Sequence, residues 1–370
     1  MWEYYNKFLK RLRWTESWLL VKLTLASLAM LLTLSVLLFF FEEGLTPGDS
    51  LWTAYISLTT IGYGDFSAQT WQGRVATVST TFLGIGCLAI FAGTLIDKGF
   101  ERRIRKMKGE GVYGGEGHVV IINVPSYEEI DGLLGELDSC REYNSAPRVI
   151  LAPSLPGSDT EMPSFIMKRI DAFVRGIPSS MATLERGNVK KACACILLSS
   201  SSDSTMDDVN TMTAGIIEKN WPAIVTVLNC VRSDTLQNLP FFGIDGGVNS
   251  TGMQMGLLVQ ELKDPGTFEV YSQLSSNAMG QVIYISSRNF RAWGLTNENV
   301  CFSSLKKAVI DLNFPVTILG VKKEGAEVVL NVKNEYNVQL EDRLIYMAKE
   351  RFNWKENSKK ILDLLGVFEK

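Results

Sequence analysis

The sequence has a single histidine, His118, and its six cysteines form no Cys-X-X-Cys pair. Structural zinc sites draw four ligands mostly from cysteine and histidine, and disulfide scaffolds are short secreted domains. Both classes are therefore disfavoured, and the cysteine usage is typical of a reducing cytosol. The net charge is only −3, so bulk charge does not indicate a nucleic-acid partner.

Two long segments, residues 23–41 and 75–96, lack any charged residue. About 20 apolar residues cross the hydrocarbon core of a bilayer as a helix. A cleaved signal peptide is disfavoured, because the first run is too long and no small-residue cleavage site follows it. We therefore predict two transmembrane helices rather than two buried helices of a soluble protein.

Charge is distributed asymmetrically around these runs. The connecting segment is acidic, with Arg74 as its only cation, whereas both outer flanks are basic. The positive-inside rule then predicts a multi-pass protein of the cell (inner) membrane with both termini in the cytoplasm. Neither run carries arginine at every third position, which argues against a voltage-sensing helix. The basic and aromatic residues 1–17 predict an amphipathic helix along the inner membrane surface. The basic flanks are Lys7, Lys10, Arg11, Arg13, Lys22, Lys98, Arg102, Arg103, Arg105, Lys106 and Lys108.

The connecting segment contains a short helical pattern. Asp49 or Ser50 is a good N-cap, and a helix over residues 50–59 is predicted from there. At 1.5 Å per residue such a helix is about 15 Å long and crosses only half a bilayer. It must re-enter, and its carbonyl end favours a cation near the membrane centre.

The helical periodicity ends at Thr60, where glycine begins to alternate with larger residues. Glycine permits backbone conformations closed to other residues, and a short strand of this kind can turn successive carbonyls to one side. Four copies around an axis give stacked oxygen rings that replace the hydration shell of K⁺. Irregular backbone at this depth must be buried in protein or line a water-filled path, so a homotetramer is predicted.

This segment resembles the selectivity filter of the potassium channel family, whose signature is TVGYG followed by Asp. The resemblance implies that K⁺ binds the carbonyl oxygens of the first four residues and the hydroxyl of the first, and that the next two complete the filter. The matching residues are Thr60, Ile61, Gly62, Tyr63, Gly64 and Asp65, with isoleucine at the valine position.

Some members of that family hold the final aspartate with a glutamate of the pore helix. Ile56 occupies that position here, so Asp65 lacks that partner. Trp52, Thr53 and Tyr55 either buttress the filter instead or pack as ordinary helix residues; the sequence leaves both interpretations open.

The second apolar run contains two features with alternative interpretations. The family places a gating hinge near the depth of Gly84 and Gly86, whereas close helix packing explains glycine there equally well. Asp97 ends the run and either forms a carboxylate ring at the inner mouth of a tetramer or is a solvated end charge.

Beyond residue 98 the pattern changes to that of an α/β protein. Continuous apolar runs alternate with helical segments, which predicts a doubly wound, Rossmann-like parallel sheet. The predicted strands are residues 118–123, 148–151, 172–174, 194–198 and 223–228.

The order of these elements resembles the RCK domain (regulator of K⁺ conductance). The resemblance rests on residues 118–122 (HVVII), 174–178 (VRGIP), 184–192 (LERGNVKKA) and 197–203 (LLSSSSD). It implies a small α+β C-terminal lobe with short strands at residues 282–286, 316–321, 328–332 and 343–347. It also implies a ring of eight such domains, of which a tetramer supplies four; the source of additional RCK domains is not indicated.

The regulatory ligand is left open between a divalent cation and a nucleotide. The turn at residues 123–127 has no glycine, and Ala152-Pro153 replaces the acidic residue that binds ribose. Ordinary NAD binding and an enzymatic function are therefore disfavoured. Calcium-gated relatives place carboxylates after the fifth strand, where residues 228–232 have none. Asp203, Asp207 and Asp208 are the candidate ligand or cation site, with helix capping as the alternative.

The sequence thus predicts a potassium-selective channel subunit, membrane-embedded and tetrameric, whose RCK ring gates the pore through ligand binding. The alternative is a potassium channel whose RCK domain serves assembly rather than sensing. The predicted organisation is an interfacial segment (1–17), a pore domain (18–98, with spans 18–41 and 72–97, pore helix 50–59 and filter 60–64), a linker (99–116), an RCK N-lobe (117–255), a C-lobe (256–350) and a tail (351–370).

Overall fold

The computed structural model describes residues 2–200, 205–287, 289–295, 300–323 and 328–365, with side chains described from Val21 onward. The chain divides into two compact units, Met1–Arg105 and Lys106–Lys370. The described helices are α1 (Trp2–Phe41), α2 (Pro47–Leu58), α3 (Trp71–Met107), α4 (Tyr127–Ser139), α5 (Ser164–Met167), α6 (Met181–Arg186), α7 (Thr205–Asn220), α8 (Ser233–Asn238), α9 (Ser250–Lys263), α10 (Thr267–Ser275), α11 (Phe302–Asp311) and α12 (Trp354–Leu365).

The first unit is built from α1, α2 and α3. Val21–Phe41 in α1 and Trp71–Met107 in α3 are long and apolar enough to cross a membrane. A small core of Leu34, Leu38 and Ala54 joins α1 to α2. Most large apolar side chains of α1 and α3 are exposed in the single chain, as expected for surfaces covered by lipid or by other copies.

The boundaries of these helices differ from the predicted ones at three points. Helix α3 continues to Met107, beyond the predicted end of the second span at 97 and into the predicted linker 99–116. The pore helix begins at Pro47, because Thr46 rather than Asp49 or Ser50 is its N-cap. Thr46 Oγ1 accepts the Asp49 N–H at 3.2 Å, and the Asp49 carboxylate accepts the Thr46 N–H at 3.3 Å, which completes a capping box. Helix α1 runs from Trp2 without interruption, so no break separates an interfacial segment from the first span.

The second unit begins with a six-stranded parallel sheet in the order β3-β2-β1-β4-β5-β6. This order changes direction between β1 and β4, as in doubly wound nucleotide-binding folds. Strands β1 and β2 are buried along their whole length, which explains their continuous apolar sequences. The strands are β1 (Val119–Ile122), β2 (Arg148–Ala152), β3 (Ala172–Arg175), β4 (Ala194–Leu197), β5 (Val225–Cys230) and β6 (Gly246–Asn249).

The predicted fold class, two apolar helices followed by a Rossmann-like parallel sheet, is confirmed. The sequence predicted five strands of this sheet and missed β6, whose residues Gly246-Gly247-Val248-Asn249 contain no apolar run. Strand β6 pairs with β5 from Val227 to Cys230 and closes the sheet at that edge.

The C-terminal lobe contains a four-stranded antiparallel sheet in the order β7-β10-β8-β9. Its strands are β7 (Val282–Ile285), β8 (Val316–Lys322), β9 (Val328–Leu330) and β10 (Arg343–Ala348), at the positions predicted from the sequence. The expected tail at 351–370 needs correction, because α12 is part of this lobe. Trp354 is buried and stacks on Trp293 with ring centroids 5.0 Å apart.

Candidate functional site: the pore segment and the crevice of the six-stranded sheet

The backbone changes conformation immediately after α2. Thr60, Gly62 and Gly64 take positive φ angles of 60°, 58° and 77°, so every second residue is left-handed. Glycine adopts this region freely, whereas the threonine costs roughly 1–2 kcal/mol there. The N–H groups of Ile61 and Gly62 donate to the Ile56 carbonyl at 3.0 and 3.3 Å. The segment is therefore irregular backbone tied to the carbonyl end of the pore helix.

Three aromatic rings brace this segment. The Trp52 ring stacks on Tyr63, with centroids 6.1 Å apart and an interplanar angle of 10°, and on Tyr55 at 6.0 Å. Trp52 Nε1 also donates a 2.7 Å hydrogen bond to Asp65 Oδ2. Asp65 thus has a pore-helix partner although no glutamate is available.

Thr53 and Ile56, two further pore-helix positions noted in the sequence, form no side-chain hydrogen bond with the segment. Thr53 Oγ1 donates to the Asp49 carbonyl one turn earlier in its own helix, at 2.7 Å. Ile56, at the position where some relatives have glutamate, is buried. Trp52 therefore buttresses the segment directly and Tyr55 only through its stacking on Trp52, whereas Thr53 is an ordinary helix residue.

A buried carboxylate holds the far side of the connecting segment. Glu42 follows α1 and is 7% exposed. Its oxygens accept the N–H of Gln69 at 2.9 Å and both the N–H and hydroxyl of Thr70, at 3.0 and 2.7 Å. Burial opposes ionisation, but these hydrogen bonds outweigh it and lower the pKa of Glu42. The carboxylate thereby holds Thr70, whose hydroxyl oxygen accepts the Gly73 N–H at 3.0 Å and caps the start of α3.

The candidate hinge glycines lie inside an unbroken α3. Gly84 is buried, and a Cβ there would overlap the side chain of Leu58 at the end of the pore helix. Gly86 has open space around its Cα in the single chain. Gly84 therefore has a packing role, and its service as a hinge stays a prediction. Asp97 is exposed, which fits either interpretation of its charge.

In the second unit, the point where the strand order reverses is filled by amide side chains. Asn123 follows β1 with φ 72° and is 4% exposed. Its Nδ2 donates to Asn210 Oδ1 on α7 at 2.8 Å. Asn210 Nδ2 donates in turn to the Leu198 carbonyl at 3.0 Å and to Ser199 Oγ at 2.9 Å. This network bridges the ends of β1 and β4, where a nucleotide would enter.

The rest of the crevice is equally closed to a dinucleotide. Ser126 Oγ already accepts the Glu129 N–H at the start of α4. Glu128 and Glu129 both place negative charge in the first turn of that helix. A pyrophosphate would need this helix end free of anions. The Tyr127 hydroxyl donates to Asp159 Oδ2 at 2.7 Å, and burial together with this bond raises the pKa of Tyr127. The turn after β1 and the start of α4 therefore lack the glycines and the free helix end with which such folds hold a pyrophosphate.

Two of the three candidate aspartates are engaged by protein groups. Asp207 is fully buried, and its carboxylate accepts the N–H groups of Val231, at 3.0 Å, and Arg232, at 2.9 Å. Asp208 forms an ion pair with Arg232. Asp203 lies outside the described residues. These contacts fasten the end of β5 to α7, and within the described ranges no group of three or more histidine, cysteine or acidic side chains could hold a metal ion.

Glu42 and Asn210 were not singled out by the sequence. Glu42 lies next to Glu43 in an acidic segment, and nothing local distinguishes the buried carboxylate from the exposed one. Asn210 lies in the helical stretch that becomes α7, and nothing in the local sequence marks it as a buried residue. Both become visible only when segments 28 and 87 residues apart in the chain meet.

Comparisons with known proteins agree with the geometry of the first unit. Residues 26–101 match the family model described as "Ion channel". YugO of Bacillus subtilis (strain 168), described as a candidate potassium channel protein, is 24% identical over 202 residues, covering 54% of this chain and 57% of YugO. Human potassium voltage-gated channel subfamily KQT member 4 is 45% identical over 58 residues, covering 16% of this chain and 8% of that protein.

Among solved structures, the GsuK channel aligns with 96% of this chain and 60% of its own, at 15% identity and a TM-score of 0.42. GsuK bound to NAD aligns with 92% of this chain and 57% of its own, at 16% identity and a TM-score of 0.43. The chain thus spans a little over half the length of these relatives. The predicted resemblance to potassium channels is confirmed by the ion-channel family model and by the match to YugO.

Proposed function

We propose that the chain is the subunit of a potassium-selective channel, with a pore formed by four copies and opened by its cytosolic domain. The observation that carries this proposal is the alternation of left-handed backbone at Thr60, Gly62 and Gly64. Alternating handedness lets consecutive carbonyl oxygens face one side of the chain. Thr60, Ile61, Gly62 and Tyr63 then supply the oxygen rings that replace the water around K⁺.

One chain supplies only one such segment, so four chains around an axis are required. The exposed apolar surfaces of α1 and α3 fit contacts with lipid and with neighbouring copies. The basic residues after residue 97 and the acidic segment between the spans support a cytoplasmic location for both termini. The membrane is then the cell membrane, and K⁺ is the permeant ion rather than a resident cofactor.

The helix pair α9–α10 fits assembly of the cytosolic domains. No residue of either helix is buried, although the pair carries many large apolar side chains. Glu261 accepts the N–H groups of Gly266 and Phe268 at 2.8 and 2.7 Å, which keeps the turn between the helices rigid. We define the α9–α10 face by Met253, Met255, Leu258, Val259, Leu262, Phe268 and Val270, and propose that it packs on a second copy of the domain.

The cytosolic domain has two candidate roles. Gating by a ligand requires that the ligand bind the open arrangement more tightly than the closed one. A pure assembly platform needs no ligand, and the filled crevice at Asn123 and Asn210 favours it over a nucleotide sensor. Deleting residues 117–370 separates the roles: loss of a platform abolishes the tetramer, whereas loss of a sensor leaves a channel with altered opening.

The pore is tested by recording purified protein in planar bilayers and comparing two alanine substitutions. Gly62→Ala and Gly44→Ala both place a side chain at positive φ, 58° and 88°, with nothing within 4 Å of the new Cβ. We expect Gly62→Ala to abolish selective K⁺ current and Gly44→Ala to keep it, because only Gly62 lies in the ion path. Unchanged selectivity for K⁺ over Na⁺ in Gly62→Ala would contradict the proposal.

Assembly through the α9–α10 face is tested with two leucine substitutions at exposed helix positions. Leu262→Glu places a charge on the face, and Leu364→Glu places one on α12, away from it. We expect Leu262→Glu to reduce the mass of the detergent-solubilised particle or broaden its distribution in light scattering, and Leu364→Glu to leave it unchanged. Equal effects of the two variants would contradict the assignment.

A further inference from the structure

The chain between α3 and β1 lies along the edge of the cytosolic sheet. The Met107 carbonyl accepts the Met162 N–H at 2.8 Å, and the Gly109 carbonyl accepts the Arg175 N–H at 2.9 Å. Glu110 then forms an antiparallel bridge with Val174 of the edge strand β3. We call residues 107–117 the docking segment. Its first residues extend the sheet rather than form a free linker.

Arg186, at the end of α6, holds this segment with its guanidinium group. Nη2 donates to the carbonyls of Gly109 and Gly111 at 2.6 and 3.0 Å, and Nη1 donates to the Arg175 carbonyl at 2.9 Å. Arg186 is half-buried and has no carboxylate within ion-pair distance in the part of the chain that the structure describes. Its planar guanidinium group therefore donates hydrogen bonds to main-chain oxygens of both the docking segment and β3. Lysine has a single ammonium group and cannot reproduce this geometry.

The remainder of the segment follows the same edge. The Tyr113 N–H donates to the Arg186 carbonyl at 2.8 Å, and the Gly117 N–H donates to the Lys191 carbonyl at 2.8 Å. Asn188 Nδ2 donates to the Gly115 carbonyl at 2.7 Å. Alternate residues from 109 to 117 therefore each bond to the short stretch 186–191, as a strand does to its neighbour.

Close approach of the backbone makes Gly109 specific for this arrangement. Its φ is 73°, and a Cβ there would lie 2.9 Å from both the Cβ of Arg175 and Cδ1 of Phe173. A side chain at this position would force the segment off the sheet edge. Gly109 and Arg186 thus form one latch, the glycine allowing the contact and the arginine holding it.

We propose that this latch is the mechanical coupling between the cytosolic domain and α3, so that Arg186 is a positioning residue for gating. The inference rests on the proposed channel function. A free linker of 11 residues between Met107 and Val119 could extend to about 36–40 Å and would absorb movement of the domain. A docked segment moves with the lobe, so displacement of the sheet edge reaches the end of α3 at Met107 without first taking up slack.

The test uses the full-length protein and two variants. Arg186→Lys keeps the positive charge but removes the planar, multiple-donor guanidinium group, and Gly109→Ala adds a side chain where the segment meets the sheet edge. Arg141→Lys is the matched control, because it makes the same substitution in an exposed ion pair with Glu350, outside the docking segment. Exposed pairs of this kind contribute little to stability. Hydrogen exchange of the peptide covering 107–117 reports docking, and bilayer recording across calcium, nucleotide and pH conditions on the cytosolic side reports coupling.

We expect exchange of the docking segment to accelerate about tenfold in Arg186→Lys and Gly109→Ala, while β1 stays protected. The range of open probability across conditions should shrink in both variants, with unit conductance and K⁺ selectivity unchanged, and the control should match wild type. Unchanged exchange, or faster exchange with an unchanged range of open probability, overturns the coupling alone. A wild-type protein without selective current overturns the proposed function, and the coupling with it.

Discussion

Trp52 Nε1 lies 2.7 Å from Asp65 Oδ2, and the same indole ring stacks on Tyr63 between the two glycines of the pore segment. One side chain of the pore helix therefore fixes the segment both by a charge-assisted hydrogen bond and by ring contact. The two contributions differ chemically, so they can be separated by substitution.

Trp52→Phe retains an aromatic ring for stacking and removes the hydrogen bond to Asp65. Hydrogen bonds to charged groups contribute about 1.5–3 kcal/mol, so we expect the conducting state to be disfavoured by roughly tenfold or more. The measurement is single-channel recording, in which the variant should spend less time conducting at unchanged unit conductance.

The control for this prediction is Tyr55→Phe, which keeps the ring that stacks on Trp52 at 6.0 Å. It should behave as wild type, because the contribution of Tyr55 to the brace is its ring. Equal conducting times in Trp52→Phe and Tyr55→Phe would show that the bond between Trp52 and Asp65 has no role in keeping the pore conductive.

Glu42→Gln tests the carboxylate that holds Gln69 and Thr70 just before the start of α3. Glutamine has the same shape, but it is uncharged and replaces one acceptor oxygen with an NH₂ donor. The hydrogen bonds from Gln69 and Thr70 are then weakened or lost, so we expect a loss of about 2 kcal/mol in stability. Thermal melting of the detergent-solubilised protein measures it. Glu43→Gln, at the exposed neighbour, should cost less than 0.5 kcal/mol by the usual behaviour of surface substitutions.

The direction of the pH effect at Glu42 follows from its lowered pKa. The folded state binds its proton less readily than the unfolded chain, so the stabilisation is present above the ordinary carboxyl pKa of 4.5 and is lost as pH falls through the folded value. Wild type should therefore lose more stability than Glu42→Gln on acidification below pH 4.5. Identical acid melting curves would argue that Glu42 is not held as a buried carboxylate.

The periodic parts of the fold were accessible from the sequence, because each depends on local patterning. The apolar runs in α1 and α3 and the continuous strands β1 and β2 are long enough to identify without their neighbours. Strand β6 was missed because Gly246 and Gly247 give it no apolar pattern, and its place depends on pairing with β5. The start of α2 at Pro47 was missed because Thr46, the residue immediately before it, was not considered as the N-cap.

The candidate sites also differ in how much of them the local sequence reveals. The filter sequence is contiguous, so its residue types could be recognised, whereas the hydrogen bond from Trp52 to Asp65 depends on three-dimensional placement. Asp207 is the opposite case, in which the local sequence could not reveal the role of the residue. An aspartate at the start of a helix fits a cation site or a cap, and only the fold shows that its oxygens meet the N–H groups of Val231 and Arg232.

The filled crevice predicts that nicotinamide and adenine nucleotides do not bind the cytosolic sheet. A ligand at 100 times its dissociation constant would add about 2.7 kcal/mol to the stability of the folded state. We expect NAD⁺, ADP and ATP, each at about 1 mM, to leave the melting temperature unchanged, because Asn123 and Asn210 are hydrogen-bonded to each other across the ends of β1 and β4 and the Tyr127 hydroxyl is bonded to Asp159.

A nucleotide-dependent rise in melting temperature that disappears in Tyr127→Phe or Asn210→Ala would contradict this prediction, since it would locate binding in the crevice. A rise that persists in both variants would place a nucleotide elsewhere on the protein. Isothermal titration on wild type distinguishes weak binding from none.

His118 provides the last test, because it is the only imidazole in the chain. It is fully buried at the start of β1, where Nε2 meets the Gly187 carbonyl at 3.0 Å and the Tyr113 ring packs edge-on at 4.7 Å. A carbonyl only accepts, so Nε2 carries the proton in the neutral ring, and Nδ1 is buried without a hydrogen-bond partner in the described structure.

Burial lowers the pKa of His118 below 6.5, and the Gly187 carbonyl and the nearby Asp171 only partly offset it. The unfolded chain then binds more protons than the folded one near and below pH 6.5, so stability is full above that pH and falls as the medium is acidified towards the folded pKa. We expect the melting temperature of wild type to decline between pH 7.5 and pH 5.5. His118→Phe, which keeps the ring against Tyr113 but cannot titrate, should show a flatter profile at lower overall stability. Tyr113→Phe should keep the wild-type slope, because a phenol does not ionise in this range. An equal slope in wild type and His118→Phe would mean that the buried imidazole does not control acid sensitivity, whatever the absolute stabilities of the two proteins.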